Sequence, residues 1–599
     1  MKALVFGICA IMMLGVFAGC TAPQDEQSMA DLVSKPVNTV LSAMDLQGKK
    51  GVVIPSTEYY NLPILAPVLK NYGLNVSVDW KKDGYADISC PDVSEFSSKI
   101  ALAFWNRSDM AIVVDNYENS ILAGSLASVL NAPILYYGNT TNEALWMLGA
   151  TNPENIIAIG NVPYAEKANV SLAGQDDIIG FTVSAAKEKG VNLNYITVVN
   201  ADDETGLQSY FKQKSKTPYT EHLSCFGSIF SAYHNGIVVS VANGTIAPSP
   251  EIIDLAVAKA AKAMNESGMQ PKFLLMLGDS VSLPFCYYWF PGNSEELGKI
   301  PTDNVYADLE IEGVCEDGYD TNESNPGHPV EPMTVELANG RIVAKSLESL
   351  SRYADRIFNY NEYLAATSAP AANIPALNPL EWNNNALAYS ATGAEFGTPE
   401  ELQAYELLLT SGFNTQEGSA AGHTSPGLIA GFNQVSGVLV STLFTMSSLI
   451  VAGADHGCPQ ANSVDYSQLQ PMPPNVNFQV SCLTGMIDTY FPDPAWNTVS
   501  KDDSYTYSML DNGCACLVAS MRSTYGMLTG SYPAAGVEMG TSGDTAYHFM
   551  DNLIQQDCTV GEALQQAKAN LGENLISFEY TLYGDPAFNP YEPCNEGSK

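Results

Sequence analysis

Basic side chains are scarce in this chain: 27 Lys and Arg stand against 65 Asp and Glu, a formal net charge of −38 over 599 residues. A surface of that sign repels phosphate backbones and anionic lipid, so nucleic acid is excluded as a partner. Histidine is rare too, six in all, which leaves few candidates for imidazole chemistry. No stretch beyond the N-terminal region reaches the roughly 18 uninterrupted apolar residues that a spanning helix needs. A second Cys or His pair at ligand spacing is missing around Cys514-Ala515-Cys516, so no metal site is assigned there. With 46% apolar and 15% charged residues, the chain is globular rather than disordered. Its length predicts roughly two to four domains.

One short apolar run does open the chain. Lys2 is followed by an apolar stretch from Ala3 to Val16, then Phe17-Ala18-Gly19-Cys20 and the polar Thr21-Ala22-Pro23-Gln24-Asp25-Glu26. This resembles a lipoprotein signal. The resemblance implies that residues 1–20 form a lipoprotein signal, cut so that Cys20 becomes the lipidated first residue of the mature chain, and that residues 21–45 form a tether. The mature protein would then be extracellular and anchored in a membrane, since two lipid chains hold stably where one is marginal. Sequons at Asn75, Asn106, Asn139, Asn169, Asn243, Asn265 and Asn322 fit export. Of twelve cysteines, Cys9 leaves with the signal and Cys20 takes lipid. The remaining ten sit in a setting where disulfides are allowed, with no pairing readable from sequence.

From about residue 46 to 215, short apolar runs alternate with segments of helical period. Gly51–Ile54 precedes an amphipathic stretch from Leu62 to Tyr72. Met110–Val114 precedes Ile121–Leu130, Pro133–Tyr137 precedes Asn142–Leu148, and Ile156–Gly160 follows. This alternation predicts βαβ units on a parallel sheet. Within it, "NYENSILAGSLASVLNAPILYYG" and "NPENIIAIGNV" give Asp109–Val162 a loose likeness to a cell-wall-binding type 2 repeat, which implies an envelope or wall partner; a generic α/β spacer reads equally well.

Ile196–Val199, Gly236–Val241, the helical Glu251–Met264 and Phe273–Leu277 continue the α/β pattern. Further on, two apolar runs each end in a reactive group. Leu449–Ala454 leads to Asp455-His456-Gly457, and Val476–Ser481 leads to Cys482-Leu483-Thr484-Gly485. Reacting groups in an open α/β sheet gather beyond the carboxyl ends of the strands. Two such strands side by side would present a base and a thiol at one edge, the minimum for a cysteine hydrolase.

The blocks "FLLMLGDSVSLP", "PTDNVYADLE" and "ANGRIVAKSLESLSRYADRIFNYNEY", with Leu582-Tyr583-Gly584-Asp585-Pro586 near the end, follow one another in order around that His-Gly and Cys-x-x-Gly. Together they resemble the gingipain family of caspase-like cysteine peptidases over about residues 195–591. The resemblance implies a caspase/gingipain-like α/β sandwich at 216–592, in two subdomains of about 216–375 and 376–592, behind the N-terminal parallel βαβ domain. It implies an endopeptidase acting on polypeptides, with no cofactor required.

A thiol of ordinary pKa is mostly protonated at neutral pH, so it needs a base, and afterwards the leaving amine needs an acid. Cys482 and His456 are the candidates. At Gly457 the missing Cβ lets the backbone N–H approach an oxyanion, and the resemblance implies Cys482 N–H as the second donor. The family's acidic orienter follows a Ser-Ala pair, but after Ser390-Ala391 this chain has Thr392. Glu395, Asp455, a backbone carbonyl or an unaided dyad remain alternatives. The resemblance implies a pocket carboxylate for a basic substrate side chain near Glu400 and Glu401, but Pro399-Glu400-Glu401 reads better as an acidic first helical turn. The acidic residues from Glu310 to Asp320 offer the hard oxygen ligands calcium takes, without EF-hand spacing. The competing reading of the whole chain is a non-catalytic surface or wall-binding lipoprotein on a degenerate peptidase fold.

Overall fold

The structure, a computed structural model, describes residues 29–33, 35–36, 41–203, 222–245, 247–288, 300–309, 335–365, 385–390, 407, 411, 414–419, 450–454, 472–480, 482–488, 501, 504–522, 524, 542–571 and 575–591. The chain divides into two compact units. The first comprises residues 1–197, 225–240 and 262–270, and the second 198–224, 241–261 and 271–599.

In the first unit, β1 (Gly51–Ile54) is flanked by β2 (Asn75–Val78) and β3 (Tyr85–Asp87), both parallel to it. A second parallel sheet has the order β5-β4-β6-β7, with β4 at Ala111–Val114, β5 at Ile134–Tyr136, β6 at Ile156–Ile159 and β7 at Val170–Leu172. Every residue of β1, β4, β5 and β6 is buried, as expected of parallel strands covered on both faces. The helices start where side chains satisfy their first amides. Asp92 accepts from Ser94 and Glu95 N–H ahead of α1 (Val93–Phe104), and Asn116 from Asn119 N–H ahead of α2 (Tyr117–Leu130). α3 (Gln175–Lys189) ends at Gly190 in the left-handed conformation. A Cβ at Gly124 would lie 2.4 Å from that of Ser228, so only glycine allows α2 so close to Ser228.

The amphipathic stretch Leu62–Tyr72 is α-helical only from Ala66 on. Residues Ser56–Leu65 form a 3-10 helix and the α-helix runs Ala66–Tyr72. Pro63 lies in the earlier part, where it lacks an N–H and restricts the residue before it. Strand β8 (Tyr195–Val199) crosses the division between units, and β9 (Gly236–Ser240) belongs to the first.

The second unit contains β10 (Phe273–Leu277), a two-stranded antiparallel ribbon of β11 (Cys286–Tyr288) and β12 (Ile300–Thr302), and β13 (Ala338–Ile342). These are followed by β14 (Asn385–Ser390), β15 (Asn414–Ser419), β16 (Ile450–Ala454), β17 (Val476–Val480), β18 (Cys516–Ser520) and β19 (Tyr580–Gly584). Its sheet runs β15-β14-β16-β17-β18-β19-β13-β10. Among these, only β18 and β19 pair antiparallel; every other neighbouring pair is parallel. The carboxyl ends of β14 to β18 therefore share one edge. The start of β19 lies at that same edge, because β19 runs the other way.

The motif blocks that carried the family resemblance meet inside this unit. Arg341 of β13, fully buried, binds both oxygens of Asp303 at 2.8 and 2.6 Å and donates to the carbonyls of Gly278 and Leu283. Asp279 accepts from Val281 and Ser282 N–H and pairs with Lys501 at 3.4 Å. Tyr353, on α4 (Leu347–Phe358), donates to Ala515 O and accepts from Asp585 N–H. Gly584, at φ +151°, leaves a Cβ only 2.8 Å from Ala515 O, which fixes glycine in the closing Gly-Asp-Pro.

Among the described residues no helix is long and apolar enough to cross a membrane. Seven cysteines fall among them (Cys90, Cys225, Cys286, Cys482, Cys514, Cys516 and Cys558), and each is a free thiol.

Candidate active site

β16 and β17 are adjacent, parallel and in register, Ile450 opposite Val476 and Ala454 opposite Val480. β14 lies on the other side of β16, with Ser390 opposite Ala454. Cys482 follows Val480 by two residues, and in the sequence His456 follows Ala454 by the same two. His456, Gly457, Glu395, Glu400, Glu401 and Cys20 lie outside the described residues, as does the acidic stretch 310–320. Of the candidate site residues, the structure therefore describes Cys482 alone.

Beyond β17 the chain turns sharply. Leu483 takes φ +61°, a left-handed conformation that costs a bulky residue on the order of 1–3 kcal/mol and persists where its surroundings impose it. Here they do. Leu483 N–H donates to Arg522 O at 3.0 Å, Gly485 N–H donates to Ser520 O at 2.8 Å, and the side chain of Leu483 packs with Met486. A Cβ on Gly485 would stand 2.8 Å from Ala519 O, so the glycine of Cys-x-x-Gly lets this turn lie against the end of β18. Arg522, just beyond β18, is fully buried and forks onto Asp488 at 2.9 and 2.8 Å. The turn is thus anchored at 483, 485 and 488, with Cys482 at its head.

The Cys482 thiol is partly exposed and donates to Thr524 O at 3.3 Å. Burial pushes its pKa up; the bond to Thr524 lowers it, and the Glu579 carboxyl adds to the rise. Undisturbed, it is a thiol and not a thiolate, so hydrolysis would require a base to take its proton.

Glu579 has no counterpart in the sequence-based reading. It ends the short helix Leu575–Glu579, immediately before β19, and is fully buried. Burial raises its pKa to about 8, against smaller lowering influences of Thr524, Arg522 and Ser520. The available signal was an acid inside an apolar run, Ile576-Ser577-Phe578-Glu579-Tyr580. The Arg522–Asp488 pair was equally unforeseen, since the two residues are 34 apart.

A family model described as Peptidase family C25 matches residues 190–591. The chain belongs to that family, the gingipain family of cysteine peptidases. Among solved structures it is similar to one described as "Structure of Protease", at 13% identity over 68% of this chain and 81% of that one, with a TM-score of 0.37. No curated protein matches it. As a C25 member the protein is a cysteine peptidase with polypeptide substrates, and the α/β architecture of its second unit accords with a caspase-like fold.

Proposed function

We propose that this C25 member is a surface-anchored endopeptidase with Cys482 as nucleophile and His456 as its proton partner. The observation that carries the reading is the strand register: β16 and β17 run side by side, and each candidate group follows its strand by two residues. In the reaction the Cys482 proton moves from the Thr524 carbonyl to the imidazole of His456 as sulfur adds to the scissile carbonyl. Collapse of the tetrahedral adduct returns that proton to the leaving amine and leaves a thioester, which water hydrolyses with His456 again taking a proton. Gly457 N–H and Cys482 N–H are the proposed oxyanion donors; losing one typically costs about 10²–10³ in rate. Glu395 is the proposed orienter of His456, and Glu400 and Glu401 the proposed substrate carboxylates. Lipid on Cys20 would hold the enzyme at the cell surface, with the first unit toward wall or envelope and calcium at 310–320 as an optional stabiliser.

The test is labelling of the 21–599 chain, under reducing conditions, with a peptidyl acyloxymethyl ketone. Selective, saturable modification of Cys482 that disappears in His456→Ala is the expected result. Equal modification of Cys482 in both proteins would remove His456 from the mechanism, and modification spread over other thiols would remove Cys482.

A further inference from the structure

Cys482 and Glu579 approach one short segment from two elements. Met521, Arg522 and Thr524 follow the end of β18, and from the β17 side Leu483 N–H binds Arg522 O while Cys482 Sγ binds Thr524 O at 3.3 Å. From the β19 side Ser520 is the register partner of Tyr580, and Met521 N–H binds Glu579 O at 2.8 Å. The Glu579 side chain is fully buried; neither oxygen completes a well-formed hydrogen bond with a described residue, and the Thr524 and Ser520 side chains beside it offset the burial only in part. Among the described residues, the charged and titratable groups that feel its charge are Arg522, already committed to Asp488 through a two-pronged bond, the buried Tyr580 next to it in sequence, and Cys482.

We propose that Glu579 is a positioning residue for Cys482, a buried carboxyl whose protonation state decides how readily the sulfur can carry negative charge. This rests on Cys482 being the nucleophile. An isolated buried carboxylate is costly, so the group prefers to stay neutral. While neutral it leaves Cys482 free to ionise against its base. Once ionised, it sets a second negative charge beside the sulfur and opposes thiolate formation. Its raised pKa of about 8 puts that change at mildly alkaline pH. The effect acts through charge alone, since no atom of Glu579 needs to touch substrate.

The experiment follows the pH dependence of Cys482 alkylation by iodoacetamide, read by peptide mass mapping, in the full chain and in Glu579→Gln and Glu579→Asp. Glu579→Gln keeps the shape and removes the charge. Its alkylation profile is expected to move about one pH unit lower, roughly tenfold faster at a fixed alkaline pH, with Glu579→Asp near wild type. Coincident wild-type and Glu579→Gln profiles, with near-ultraviolet circular dichroism intact, would overturn the proposal. Should Glu579→Gln not fold, the unmutated chain gives the reciprocal answer. Cys482 is capped either with charged iodoacetate or with neutral iodoacetamide, and loss of the protonated carboxyl band is followed by infrared titration. A later loss in the charged adduct supports the coupling; identical titrations refute it. Neither assay needs peptide hydrolysis, so a failed peptidase reading and a failed coupling give different results.

Discussion

Burial raises the pKa of both Cys482 and Glu579, the latter from 4.5 to about 8. For Glu579 this has a consequence for stability. Between pH 4.5 and 8 the unfolded chain has released its proton and the folded chain still holds it, so stability falls as pH rises through that window. Glu579→Gln, which cannot titrate, should therefore lose less stability than wild type between pH 5 and 8, by on the order of a few kcal/mol, in urea unfolding at the two pH values. Equal pH slopes would show that Glu579 ionises in the fold as freely as in water. Arg522 and Asp488 give a second prediction. Asp488→Ala strands a fully buried guanidinium and should cost about 3–5 kcal/mol, whereas replacing both by apolar residues should cost less. A double-mutant cycle in urea checks both. At this scale the sequence was partly legible. Cys482 stood out because it follows an apolar run and shares the family's block order. Glu579, Arg522 and Asp488 did not, because each acquires its meaning from partners brought together only by folding.

Strands were the most legible elements. Nine apolar runs, from Gly51–Ile54 to Val476–Ser481, fall on β1, β4, β5, β6, β8, β9, β10, β16 and β17 within a residue or so at each end, and the Gly-Arg-Ile of the family-like block falls on β13. Parallel strands buried on both faces leave continuous apolar runs, a signal that survives without partners in view. The antiparallel pairing of β18 with β19 was not legible, since nothing local records which neighbour a strand takes. The Leu62–Tyr72 misfit is local in origin, as Pro63 displaces the α-helix to Ala66. Turns show where a single Cβ is decisive. α5 (Tyr505–Asn512) gives way to β18 through Gly513, at φ +133°, where a Cβ would sit 2.0 Å from Met472 O. Gly513→Ala should cost about 2–4 kcal/mol, combining a forbidden φ with a backbone clash, and thermal unfolding measures it. A loss under 0.5 kcal/mol would mean that the segment around Met472 yields easily.

For the whole molecule, the blocks that identified the family are mostly structural. Asp303, Arg341, Gly278, Gly584 and Asp585 build the interior of the second unit and touch no substrate in the proposed reaction. Family membership was therefore readable from the sequence through residues that hold the fold, whereas the orienter of His456 and the substrate carboxylates were not. The net charge of −38 predicts that polyanions such as heparin or DNA will not be retained at physiological ionic strength, where like-charge repulsion opposes encounter. In the proposed reaction Cys482 and His456 act as one device. This is tested by the rate at which the reduced 21–599 chain, after any activating cleavage, hydrolyses a mixed peptide library, compared with Cys482→Ala and His456→Ala. Each substitution alone is expected to remove at least about 10³-fold of the rate, and the double variant to be scarcely slower, because the two groups act as a unit. A Cys482→Ala protein that hydrolyses the library as fast as wild type would contradict the proposed reaction.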